Sequence, residues 1–157
     1  MALIHIEAAH IIEAGPAEVF AVLTDYRVGH PAILPKPFFT GLVIEQGGQG
    51  AGTVMWVHMR VYGRESHYHQ IVSEPEPGRV LVEANLDGGV TTTFKVEPLE
   101  GGRRSRVTIT TDAKPSPGFA GLMERLMQPA VAGRIYKQEL LNLADYLRRE
   151  RVDADPN

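Results

Sequence analysis

The side chains that could do chemistry in this chain are histidines and carboxylates, because it has no cysteine. Disulfides, thiolate metal sites and cysteine nucleophiles are thereby excluded. His58, His67 and His69 fall on two neighbouring predicted strands, and three imidazoles brought together could hold a metal. Arg60 stands among them with a fixed charge that repels a cation, and no Asp or Cys joins the patch. A solvated polar face is therefore expected there, with no metal and no cofactor. Ser66, Ser73, Ser105 and Ser116 lie in no Gly-x-Ser-x-Gly context, which leaves no serine nucleophile. No two acids are spaced for paired-carboxylate chemistry. Glu83 stands out instead, as a carboxyl on an otherwise apolar stretch. If it points inward it needs a bonded partner, and its pKa is expected to rise.

The elements that must position these groups come in a definite order: one strand, short helices, a run of strands, one long helix. Residues 4–13 read as the first strand, and His5 and His10 on it read as ordinary strand residues. Gly15-Pro16 stops that strand. Pro16 suits the first position of a helix over 16–23, with Glu18 in its first turn and Val19, Phe20, Val22 and Leu23 on its buried face. A second helical stretch starts at Thr24-Asp25 and is expected to end at His30-Pro31, since a residue before proline avoids the α region. Strands follow at 41–45, 53–62, 65–73, 79–85, 91–97 and 106–112, separated by Gly and Pro turn signals. The turn Gly47-Gly48-Gln49-Gly50 lacks Gly-Lys-Ser/Thr and leads into a strand, so it is not a phosphate loop. Residues 118–151 carry helical periodicity, with Leu122, Leu126, Gly133, Leu140, Leu143 and Leu147 on one stripe. Pro129 is expected to kink that helix or split it. A curved sheet closed by one helix encloses a space.

Bulk composition fits such a container. The chain has 157 residues, 43% hydrophobic and 22% charged, within the range of one globular domain. A net charge of −3 with scattered Lys and Arg argues against nucleic acid. No apolar run is long enough to span a bilayer, and the N-terminus starts a strand in place of a signal peptide. A cytoplasmic protein without integral membrane association is expected. The tail 152–157 is polar and expected to fray.

Strand register assigns the lining. A two-residue turn at Gly63-Arg64 would pair Tyr62 with Glu65 and His58 with His69. Trp56, His58, Arg60, Tyr62, His67 and His69 then share an outer face. Met55, Val57, Met59, Val61, Ser66, Tyr68, Gln70 and Val72 share the inner one. A three-residue turn would reverse the faces of His67 and His69. A turn at Asp87-Gly88 pairs Leu81 with Phe94 and Glu83 with Thr92, which points Glu83 inward and leaves Asn85 near the rim. A bulge would turn Glu83 to solvent, and both arrangements stay open. Met123 and Met127 could line an adaptable apolar pocket or be plain core. His30, beside Pro31, is a ligand-contact candidate at the cavity mouth.

The segment GPAEVFAVLTDYRVGHPAILP resembles the opening helices of the START-like, helix-grip superfamily. EPEPGRVLVEA, TTTFKVEPLEGGRRSRVTITTD and ELLNLADYLRRE are similar to its polyketide cyclase/dehydrase and lipid-transport branch. The resemblance covers nearly the whole chain. It implies an α+β helix-grip fold over residues 1–151, a seven-stranded antiparallel sheet wrapped around a long C-terminal helix. It also implies a small, largely hydrophobic ligand: a lipid, polyketide or aromatic metabolite. Carried across, the inward positions of the strand after the central hairpin are Ser66, Tyr68, Gln70 and Val72, with Leu81, Glu83, Asn85 and Phe94 beside them. Cyclases of this branch carry tryptophans and arginines there. With no inward arginine in this chain, nothing obvious would stabilise an enolate. An enzyme of the cyclase, aromatase or dehydratase type would need Glu83, then Tyr68, as its acid or base. A regulatory partner could pair through exposed Trp56 and Tyr62, and the chain is expected to be a monomer or homodimer.

Overall fold

The computed structural model describes residues 2–154. Strand β1 (Ile4–Ile12) is followed by helices α1 (Pro16–Thr24) and α2 (Gly29–Ile33). Strands β2 (Phe39–Gln46), β3 (Val54–Val61), β4 (Arg64–Glu76), β5 (Val80–Asn85), β6 (Val90–Leu99) and β7 (Arg104–Ala113) then form the meander, and helix α3 (Phe119–Ala154) closes the chain. All seven strands make one antiparallel sheet in the order β1-β7-β6-β5-β4-β3-β2. This is the helix-grip arrangement expected from the sequence.

The core forms where alternating strand residues meet the stripes of the helices. Met55, Val72, Leu81, Phe94, Val107 and Ile109 from the sheet pack with Val19, Leu23, Leu140 and Leu143 from the helices. Leu81 pairs with Phe94 and Glu83 with Thr92, as the Asp87-Gly88 turn predicts. The bulge that would have turned Glu83 outward is absent from this pair of strands.

Several expectations need correction. The β3–β4 turn is Tyr62-Gly63, one residue earlier than predicted, so Val61 pairs with Arg64 and His58 with His67. Both central residues have positive φ, 50° at Tyr62 and 81° at Gly63. A two-residue hairpin whose twist matches its strands demands that conformation, and Gly63 supplies it without cost. The predicted and observed registers differ by two residues, so every strand side chain keeps its face. Tyr62 alone leaves the outer face, because it is a turn residue and 79% exposed.

The α2 helix runs past His30-Pro31 to Ile33. Pro31 lies in its first turn, where a backbone N–H has no intrahelical partner to lose. Strand β4 continues through Pro75 to Glu76, with a register shift between Ser73 and Glu76 that frees Pro75 from a ladder bond. Pro129 lies inside α3 and does not divide it, and the helix takes in residues 152–154 of the predicted tail. Residues 155–157 lie outside the described residues. The predicted stripe on α3 holds at Leu140, Leu143 and Leu147 and fails at Leu122 and Leu126, which are exposed.

Candidate functional site

The site begins with a turn wound on one carboxylate. Asp25 Oδ1 accepts from the backbone N–H groups of Arg27 and Val28 at 3.1 Å, and its Oδ2 accepts from Gly29 N–H at 3.2 Å. Local bonding of this kind lets Asp compete with helix, so residues 25–28 turn where the sequence suggested a continuous helical stretch. At Gly29 the α2 helix passes so close to α1 that a Cβ would lie 2.9 Å from the Val22 carbonyl. This close approach drives Tyr26 and His30 under the sheet. Their rings stack with centroids 4.7 Å apart, and the edge of Phe94 meets His30 at 5.5 Å.

His30 is only 2% exposed. It therefore sits at the inner end of the cavity, not at the mouth where the sequence placed it. Its Nδ1–H donates to the Leu23 carbonyl at 2.7 Å, which fixes the ring. Nε2 is left facing two carboxyls, Glu83 Oε1 at 3.4 Å and Glu139 Oε1 at 3.9 Å. The expectation that no acids pair is thus overturned: Glu83 of β5 and Glu139 of α3 flank one imidazole.

The two carboxyls have different surroundings. Tyr26 OH donates to Glu83 Oε1 at 2.8 Å. Glu139 is 2% exposed, and its Oε1 has no hydrogen-bond partner. Burial, reinforced by the nearby Glu83, holds the Glu139 carboxyl well above the usual carboxylate range, so it keeps its proton. Burial, then Glu83, also pushes the Tyr26 phenol well up. A third buried group completes the inner end: Thr92, Thr111 and Tyr136 join their hydroxyls in a chain with links of 2.7 and 2.6 Å. Burial raises the Tyr136 phenol to about 12. Replacing Tyr26 by Phe strips Glu83 of its donor. We expect Tyr26→Phe to cost about 1–3 kcal/mol, the cost of leaving a buried acceptor without its partner. A lower denaturant midpoint at unchanged slope checks it; an unmoved midpoint would deny this bond any structural role.

These groups open onto a cavity of about 640 Å³. Its wall includes His30, Met55, Val57, Met59, Ser66, Tyr68, Gln70, Glu83, Phe94, Met123 and Met127, each named by the sequence reading. Val72, Leu81 and Asn85 do not line it. Val72 and Leu81 are buried in the core cluster, and Asn85 is half-buried with an unpartnered Oδ1. The wall also holds Tyr136 and Glu139 of α3, which the sequence reading missed, while Tyr26 supports it from behind. A signal for Glu139 existed. It stands four residues from Ile135 and four from Leu143, and so shares their buried stripe.

Outside the sheet, Trp56 stacks on His69 at 4.3 Å, and the Nδ1 atoms of His58 and His67 lie 2.7 Å apart. His69 Nε2 is bonded to Glu45 at 2.6 Å. Among the described residues, no group of three or more such side chains could hold a metal ion, and no helix is long and apolar enough to cross a membrane.

Comparison with known proteins gives a consistent result. The profile of one family, polyketide cyclase / dehydrase and lipid transport, matches residues 4–148. No curated protein matches the chain. Among solved structures, the KanY protein is similar with a TM-score of 0.80 and 26% identity, over 94% of this chain and 99% of that one. The Zhui aromatase/cyclase from Streptomyces sp. R1128 has a TM-score of 0.78 and 21% identity, over 98% of both chains. A START superfamily protein from Mycobacterium smegmatis has a TM-score of 0.70 and 14% identity, over 92% and 97%.

Proposed function

Since this chain belongs to the polyketide cyclase/dehydrase and lipid-transport family, we propose that it binds a small, largely apolar molecule such as a lipid, polyketide or aromatic metabolite. The apolar body lies among Met55, Val57, Met59 and Phe94, and one uncharged oxygen docks at the inner end. The observation that carries this reading is the orphaned Oε1 of Glu139. A neutral carboxyl can both donate and accept, and leaving a buried polar atom unpaired costs roughly 1–3 kcal/mol, so a ligand oxygen there relieves a standing deficit. An anionic head group would find no Lys or Arg at that end, since Arg64 and Lys114 stand among the exposed residues of the cavity wall.

Thermal melts against matched ketones, phenols and their deoxy hydrocarbons test it. A ligand held at about 100 times its Kd stabilises by roughly 2.7 kcal/mol. The oxygenated members should raise Tm and the hydrocarbons less. Glu139→Gln, which retains a donor, should keep the preference, and Glu139→Leu should lose it. Equal shifts for both ligand series would overturn the reading. A second reading is acid–base turnover of the bound molecule. The two carboxyls of unlike environment around His30 favour it, since such pairs can divide acid and base roles. In that case Glu83→Gln abolishes turnover while binding persists; unchanged turnover would remove Glu83 from the chemistry.

A further inference from the structure

The first three turns of α3 expose an apolar stripe that the core does not use. Phe119 is 75% exposed and Leu126 68%, and Leu122, Met123 and Met127 are exposed with them. Positions 119, 122, 123, 126 and 127 follow the helical period, so they form one continuous face. Met123 and Met127 also belong to the cavity wall, which makes the stripe continuous with the cavity mouth. Tyr62, at the tip of the β3–β4 hairpin, stands on the opposite lip.

The charges around this mouth are unlike those of the chain as a whole. The chain carries a net −3. At the mouth, Arg64 and Lys114 are exposed cations, whereas Arg125 turns away from the stripe to donate to the Ala2 carbonyl. Glu124 is the acid among the cavity-lining residues there. Its two oxygens are occupied by the Ser116 hydroxyl at 2.6 Å and the Ser116 N–H at 2.8 Å, and those bonds, with the Arg64 charge nearby, lower its pKa.

We infer that the mouth of the cavity, formed by the Phe119–Met127 face of α3 and the Tyr62 hairpin tip, docks on an anionic lipid surface. An exposed helix face of Phe, Leu and Met flanked by Lys and Arg is the composition of an interfacial helix. Docking there would open the cavity directly onto acyl chains, so a poorly soluble ligand could enter without crossing water. That consequence rests on the function proposed above, whereas the docking itself does not. The cations select the occupant: an anionic surface meets Arg64 and Lys114 with opposite charge.

Flotation of the ligand-free protein with vesicles tests the inference, using phosphatidylcholine alone and phosphatidylcholine with about one-third phosphatidylserine. Two cations near the surface should favour the anionic vesicles by roughly 30-fold. Leu126→Asp and Phe119→Asp should each cut binding by about 10-fold or more, and Lys114→Gln by about 5-fold. These residues are exposed, so the melting temperature should stay put, which separates lost docking from lost folding. Absence of flotation with either vesicle would overturn the inference. So would binding that survives both apolar-to-Asp changes, or a concentration-dependent dimer that Leu126→Asp dissolves. Because no ligand is present, failure here leaves the melting-shift test of the cavity independent.

Discussion

Glu139→Gln is expected to flatten the dependence of stability on pH and to make the protein more stable than its parent in alkaline solution. In the unfolded chain Glu139 titrates at about 4.3. In the fold it keeps its proton well above that value, chiefly through burial and then through the nearby Glu83. Between the two values the folded state binds the extra proton, so stability falls as pH rises, by about 1.4 kcal/mol per pH unit for one proton. Below the ordinary value this contribution is complete; above the folded value it is gone. Glutamine keeps the shape and a hydrogen-bond donor but never ionises. Groups facing Glu139 are His30 and Glu83, with the Tyr26 and Tyr136 phenols nearby, both shifted upward and so neutral across this range. Denaturant melts of parent and variant from pH 4 to 9 check the prediction, with those limits set about the ordinary carboxylate value. Parallel curves would mean that Glu139 does not hold its proton in the fold.

Leu143→Ala should strongly destabilise the protein. Leu143 is fully buried and belongs to the core cluster that also holds Val19, Leu23, Phe94 and Ile109. Removing its isobutyl group leaves a cavity between two rigid layers, at a cost of about 3–5 kcal/mol. Against a typical stability of about 5–15 kcal/mol, that leaves a marginal protein. Leu126→Ala is the matched control. It is the same substitution on the same helix at a residue 68% exposed, and it should move stability by no more than about 0.5 kcal/mol. Urea midpoints decide the comparison, and similar losses at the two positions would contradict the burial of one and the exposure of the other.

That contrast marks the boundary of what sequence patterning can read. Leu126 and Leu143 belong to one predicted stripe, and periodicity treats them alike. Periodicity says which residues share a face. It does not say whether a partner covers that face along its whole length, and the first turns of α3 stand at the cavity mouth with Leu122 and Leu126 exposed. The strand register was more forgiving. The β3–β4 turn slipped by one position and the pairing by two, yet Met59, Ser66, Tyr68 and Gln70 stayed on the inner face, because strand side chains repeat every two residues.

The sequence alone determined the element order, the sheet-and-helix architecture and the inward direction of most of the lining. Alternation, helical periods and Gly/Pro punctuation are local properties, and they survive small errors of register. Only the tertiary structure decided the site. His30, Glu83 and Glu139 are far apart in the chain, and the two carboxyls come within 3.9 Å of His30 only because α2 is folded against α1 at Gly29 and α3 is packed against β1 and α2. The retained proton on Glu139 follows from the same long-range packing. Burial and a neighbouring charge raise that pKa, and neither is encoded in the residues adjoining Glu139 along the chain.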